Sequence, residues 1–479
     1  MDRQHRDVIL YELNEVPWDV IDIYVNKRPE SHIAALLTEG QSLTTVHEDR
    51  EEHQGLQPWR TWPTLHMSTY GHNSFDLGQD PTTFRGDPIW DVAENAGLSV
   101  GLFGPMQSWP ARQFRHGGFF IPDTFSQDAK TFPASLESFQ AFNLAMTGEN
   151  GFSPDTVLNP GTLAGTAADL VRQGLTPRSM ATLGTHLVKE RIDPRYKAFR
   201  SAMQAPLSFD LYWKLHRTHN PRLSVFFTNH VAGMMHRFWG DGMPGYTEKY
   251  DYTSDDVYGS FIVAAMDIAD RQIGRVRKYL AKNPASMLIL SASMGQGPVA
   301  VPELDDHMYV VADYAKLAAV LGLPPTGPGL AMYPMLSLVF DTEDDARAAV
   351  PPLESVSIDG KGPLFARLRL EGKTVTFGID YMLGCEETAK LRFRPAGAAD
   401  TEEIIAPSET LGLARQPRVG GINTGYHIPE GILVAAGAGV AADPSRKEVD
   451  VLDVAPSLLA NVLGVDPAPS MQGIPSLFA

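Results

Sequence analysis

At 479 residues, with 43% hydrophobic and 20% charged side chains, the chain has the make-up of a soluble globular protein long enough for one α/β core with insertions. Its formal net charge of −17 argues against a nucleic-acid polymer as partner, since displacing counterions needs basic surface, but leaves room for a small anionic substrate or ligand in a local field of opposite sign. The single cysteine, Cys385, excludes an internal disulfide and a zinc–thiolate cluster. No apolar run reaches the ~18–20 residues of a membrane span, and the run after Asp7 is too short for a signal-peptide core, which points to the cytoplasm. Nothing in the sequence sets the oligomeric state.

In chain order, Val8 to Leu13 is an apolar run interrupted by Glu12, the pattern of a largely buried first strand. Asn14 and Glu15 follow, and a helix with proline in its first turn begins at Val16-Pro17-Trp18. Glu12, Asn14 and Glu15 thus fall at the C-terminal end of a strand, where open α/β sheets bind ligands. Ser31 to Gly40 is a helix closed by glycine, and a polar loop then delivers Thr61-Trp62-Pro63. Threonine is a favoured N-cap and proline is tolerated in a first helical turn, so a helix is expected to open at Thr61, with Thr64 and His66 in it. A side-chain oxygen among the free N–H groups of a helix start is also where a phosphate or sulfate settles.

Pro88 to Gly97 reads as an amphipathic helix and Leu98 to Gly104 as the next strand, a βαβ rhythm that implies a parallel sheet. From residue 111 to 220 the pattern loosens into a cap or insertion. Leu223 to Phe227 is again a buried strand, followed by Thr228-Asn229-His230 and, six residues on, His236. At that spacing the two histidines do not share one helix face. A helix with apolar residues at Phe261, Ile268, Ile273 and Val276 leads to the strand Met287 to Leu290 and an uncharged turn, Ser291-Ala292-Ser293-Met294-Gly295-Gln296. Residues 301–415 form a second insertion. Gly425-Tyr426-His427 then enters the buried strand Ile432 to Ala436, and Val451 to Leu459 opens a closing helix. The expected architecture is α/β: a mostly parallel central sheet flanked by helices. Its core is built from 1–110, 221–300 and 416–479, with the two irregular insertions between.

The order of four stretches resembles the alkaline phosphatase superfamily, in particular its phosphodiesterase and nucleotide pyrophosphatase branch. Leu13-Asn14-Glu15-Val16-Pro17-Trp18-Asp19 is similar to the family's first strand-to-helix turn. Thr61-Trp62-Pro63 through Gly71 resembles its Thr-x-Pro nucleophile helix. His236-Arg237-Phe238-Trp239 resembles the end of Asp-x-x-x-His-Arg-Phe-Trp. Gly425-Tyr426-His427, together with Asp453, Pro456, Gly464 and Met471-Gln472-Gly473, resembles the C-terminal histidine loop and closing helix. The resemblance implies an alkaline phosphatase-like fold and phosphoester chemistry in which two metal ions, usually zinc, activate a Thr or Ser nucleophile and hold the phosphoryl oxygens.

The chain departs from that pattern where metal is bound. Asn14 stands at the first aspartate, Ala232 at the aspartate four residues before His236, and Ala292 and Ser293 replace the Asp-His of a Ser-Asp-His-Gly turn. Removing three carboxylates and an imidazole speaks against a standard two-zinc mechanism. Three readings stand. In the first, a rearranged site keeps phosphoester or related ester chemistry at Thr61, either with one divalent, zinc-like ion on His236 and His427 and a third ligand from Glu12, Glu15 or His230, or without metal and with His66 or His230 as base. Glu12, Asn14, Glu15, Thr64, Asn229 and Gln296 are then the substrate-binding candidates. In the second reading the chain binds a nucleotide or sugar-phosphate-like anion without turnover. In the third it is a scaffold.

Overall fold

The computed structural model describes residues 6–47, 56–70, 84, 86–148, 170–299, 307–329, 331, 335–380, 383–399, 402–417 and 423–478. The chain divides into two compact units. One comprises Met1–Ala145, Asp155–Ala300 and Asn423–Ala479, the other Met146–Pro154 and Val301–Ile422.

The first unit is built on an eight-stranded sheet. Its strands run, from edge to edge, Asp443–Asp450, Gln41–Val46, Glu430–Gly437, Ser286–Ser291, Asp7–Leu13, Leu223–Thr228, Val100–Phe103 and Gly118–Ile121. Every neighbouring pair is parallel except those of Glu430–Gly437, which runs against both its neighbours. The central strands are apolar on both faces because helices cover both sides, as a parallel sheet requires. Tyr11 shows the alternation that follows from strand geometry: it lies in an aromatic core with Phe209 and Phe226 and donates to Gln272 Oε1, while its neighbour Glu12 pairs with His66.

Of residues 111–220, expected as a cap, those up to Ala145 and from Asp155 onward belong to this unit. Gly118–Ile121 is an edge strand of the same sheet, and the helix Gln204–His219 buries Phe209, Leu211 and Tyr212 in the same core as Phe226. The glycine pair Gly117 and Gly118, both at positive φ, breaks the periodicity at the start of that strand. Gly118 has no alternative, since a Cβ there would fall 1.7 Å from Val100 O.

The second unit holds its own apolar core under two four-stranded sheets. In one, Phe365–Glu371, Thr374–Ile379, Met335–Phe340 and Thr326–Pro328 are antiparallel, with the helix Glu343–Glu354 packed on them. Cys385 is buried in this core and forms no disulfide.

Topology sets the position of the candidate site. Ser286–Ser291, Asp7–Leu13 and Leu223–Thr228 are adjacent and parallel, so their C-terminal ends deliver Ser293, Asn14-Glu15 and Asn229-His230 to one edge of the sheet. The reversed direction of Glu430–Gly437 brings its N-terminal end, and with it Gly425–Ile428, to that same edge. There Gly425–Ile428 pairs with Gly295–Pro298, His427 opposite Gln296.

Candidate metal centre

The turn after the first strand carries Glu15 in the left-handed region, at φ 61°, a conformation rare outside glycine and asparagine. It turns the carboxylate, 2% exposed, toward two imidazoles. Glu15 Oε2 lies 3.0 Å from His236 Nε2 and 3.3 Å from His427 Nε2. The ligand atoms of the three residues lie within 4.8 Å of one another, the one such group of three or more metal-ligating side chains among the described residues.

The tautomers of both histidines follow from their second nitrogens. His236 Nδ1 faces Gly425 O at 3.0 Å and His427 Nδ1 faces Leu56 O at 2.6 Å. A carbonyl only accepts, so each Nδ1 carries the proton, and in the neutral rings both Nε2 lone pairs point at the carboxylate. Three electron-rich atoms facing one another in a buried site require a cation between them, either a proton or a metal ion. His427 Nε2 is buried without a hydrogen-bond partner, as a ligand awaiting an ion would be. Two imidazoles and a carboxylate form a donor set suited to zinc or a similar divalent ion, and the Nδ1–carbonyl bonds are the usual outer support of such ligands. The residues therefore fit one ion.

Burial pushes the Glu15 carboxyl upward, but the imidazoles of His427 and His236 outweigh it and hold the group well below the ordinary carboxylate range. His236 shows the reciprocal effect: burial lowers its pKa and the Glu15 carboxylate more than restores it, leaving a net rise. The His236 side chain is 25% exposed while His427 and Glu15 are nearly closed off, so the centre opens on the His236 side.

Around this trio lies a neutral network. Asn14 Nδ2 donates to Glu15 Oε1 and to Asn229 Oδ1, each at 2.7 Å, and its Oδ1 accepts from Trp62 Nε1 at 2.7 Å. Gln296 Nε2 donates to Glu15 Oε2 and, at 3.2 Å, to Ala232 O. Tyr426 stacks on His427 with ring centroids 4.4 Å apart, and its hydroxyl accepts from Gln57 Nε2 at 3.3 Å. Gly425 must be glycine, since a Cβ would stand 2.5 Å from Met235 O.

Thr61 is placed differently from expectation. The helix spans Pro58–Met67 with Gln57 at its N-cap and Pro58 in its first turn. Pro58 supplies the preset φ of a helix start, so Thr61 lies a turn inside, with its own N–H bonded to Gln57 O at 2.9 Å, and does not cap the helix. Its fully buried hydroxyl lies 2.7 Å from Ser293 Oγ, also fully buried. Thr64 returns its hydroxyl to Arg60 O within the same helix. Ser68 and Gln472-Gly473 join the end of this helix to the C-terminal tail: Gly473 N donates to Ser68 Oγ at 2.9 Å, and Ser68 Oγ donates to Leu452 O at 2.7 Å.

The remaining candidates have other partners. His66 Nε2 pairs with Glu12 Oε1 at 2.5 Å, both side chains wholly buried, and its ring stacks on Trp62. His230 lies between Thr228 Oγ1 and Ala265 O, and burial pulls its pKa down to about 4. Of the third ligands considered, Glu15 meets the two histidines, whereas Glu12 and His230 have these partners instead. Trp62, Ser293, Gly425 and the Leu56 carbonyl complete the site without having been marked as candidates. The glycine directly before Tyr426-His427 was the available sign for Gly425, but a partner chosen by its backbone carbonyl leaves no trace in side-chain identity.

No protein-family profile matches this chain, and no curated protein matches it. Solved structures of murine ectonucleotide pyrophosphatase/phosphodiesterase 5 align over 97% of this chain and 96% of theirs, at 11% identity and a TM-score of 0.38; one of them is an inactive variant in complex with AMP. No helix among the described residues is long and apolar enough to cross a membrane.

Proposed function

We propose that this chain is a phosphoester hydrolase-like protein with one divalent, zinc-like ion on Glu15, His236 and His427. The observation that carries the reading is the convergence of both histidine Nε2 atoms on the Glu15 carboxylate, with each Nδ1 tied to a backbone carbonyl. The ester class rests on the order of the Thr-x-Pro, His-Arg-Phe-Trp and histidine-loop motifs. A bound divalent ion in such a site polarises a phosphoryl oxygen and makes water or a hydroxyl more acidic. The chain's own contributions are the anionic carboxylate that holds the ion, the partly exposed His236 ring as the approach for a small anionic substrate, and the exposed residue Asn229, whose Oδ1 accepts from Asn14. Thr61 is the nucleophile candidate by its place in the motif; its bond to Ser293 orients the hydroxyl but supplies no base.

That last point favours a second reading, retention of a phosphate-bearing anion without turnover, because His66 and His230 are both engaged elsewhere. Metal analysis of protein purified without chelator separates the cases. About one zinc per chain, lost in His427→Ala, is the expected result, and a metal-free protein ends the proposal. Phosphodiester, phosphomonoester and sulfate ester substrates then distinguish enzyme from binder. Turnover that survives Thr61→Ala but not His427→Ala assigns the nucleophile to solvent.

A further inference from the structure

We infer that Asn14 is the positioning residue that holds Glu15 as a metal ligand, and that as a neutral amide it supplies no ligand for a second ion. The inference rests on the ion proposed above and concerns how this chain supports it.

Asn14 is 1% exposed, and three bonds fix which way its amide faces. The Trp62 indole can only donate, so the atom of Asn14 facing it at 2.7 Å is the carbonyl oxygen. The NH2 group is therefore turned to the other side, where it meets two acceptors, Glu15 Oε1 and Asn229 Oδ1. Gln296 Nε2 holds the second oxygen of Glu15. With a donor on each oxygen, the carboxylate is held in one orientation at a left-handed backbone position, Oε2 toward the two imidazoles. Outer bonds of this kind fix the direction in which a ligand presents its lone pairs.

Among the described residues the same geometry offers no second site. A further ion beside Glu15 needs carboxylates or imidazoles of its own. On the Asn14 side the neighbours are the neutral groups Asn229 and Trp62. The Thr61 and Ser293 hydroxyls use each other. Among the described residues the Glu15 group is the one metal-ligating trio.

The test is zinc binding, read by chelator competition for affinity and by elemental analysis for stoichiometry. Wild type is expected to take up one zinc per chain. Asn14→Ala is expected to weaken zinc affinity by roughly 10–100-fold, the usual effect of losing such a support. Asn14→Asp keeps the volume but sets a carboxylate against Glu15; affinity is expected to fall while stoichiometry stays at or below one. Trp62→Phe frees the Asn14 amide to turn and should give a smaller, several-fold loss. A purely structural role for Asn14 would lower Tm with zinc affinity unchanged, and that outcome overturns the positioning role alone. A second zinc in wild type or in Asn14→Asp overturns the mononuclear assignment. A wild type without zinc overturns the ion and this inference together. If Asn14→Ala does not fold, Asn14→Asp and Trp62→Phe decide the matter.

Discussion

Glu15 Oε2 stands 3.0 Å from His236 Nε2, joining the turn after the first strand to a helix more than 200 residues later. With His427 the pair forms an anionic centre from parts that lie at both ends of the chain. Glu15→Gln keeps the shape of the side chain and removes its charge. Zinc uptake is expected to drop by at least ten-fold in Glu15→Gln and to vanish in the double variant with His427→Ala, as measured by competition with a chromophoric chelator. Unchanged uptake in Glu15→Gln would remove the carboxylate from the ligand set.

The Thr61–Ser293 hydroxyl pair can be weighed by a double-mutant cycle. Each single alanine leaves a buried hydroxyl without its partner, which costs roughly 1–3 kcal/mol. The double variant loses both at once and is expected to be less destabilised than the sum of the singles. Chemical denaturation of the four proteins gives the coupling. Strict additivity would mean that the two hydroxyls do not depend on each other.

The Glu12–His66 pair is wholly buried and its imidazole packs against Trp62 and Trp90, apart from the Glu15, His236 and His427 cluster. His66→Ala leaves an unpaired carboxylate in the core, a change that typically costs about 3–5 kcal/mol. We expect a large fall in Tm with zinc stoichiometry unchanged in the protein that remains folded. Loss of zinc at full stability would return His66 to the site.

Two buried histidines set an acid limit. Burial pulls both His216 and His230 down to a pKa of about 4, against an ordinary value of 6.5. For a base whose folded pKa is depressed, the unfolded chain takes up the proton first. Stability from these groups is therefore complete above pH 6.5 and drains away as pH falls toward 4, by up to roughly 3 kcal/mol for each. Replacing His216 by glutamine is expected to flatten the decline of Tm across that window. A profile as steep as wild type would show that other groups govern acid unfolding.

Much of the fold can be read from local patterns. The buried strands at Val8, Leu223, Met287 and Ile432, and the amphipathic helix Phe261–Leu280, stand out because parallel strands covered on both faces are uniformly apolar and surface helices are not. Residues 111–220 were harder, since their strand Gly118–Ile121 is four residues long and is defined by its neighbour Val100–Phe103 rather than by its own sequence. Thr61 illustrates the same limit at a site. Local rules favour a threonine cap before Pro63, but Pro58 also satisfies them, and the helix starts at the earlier proline.

By itself the sequence determined that the chain is α/β and that polar residues stand at the ends of its buried strands. These are matters of residue identity and short-range period. Only the tertiary structure decided that Glu15, rather than Glu12 or His230, joins His236 and His427. Alternation along the first strand turns Glu12 away to His66, the left-handed turn brings Glu15 round, and one reversed strand carries His427 to the same edge. Direction across a sheet is a property of strands that pair far apart in the chain, and no single stretch of sequence contains it.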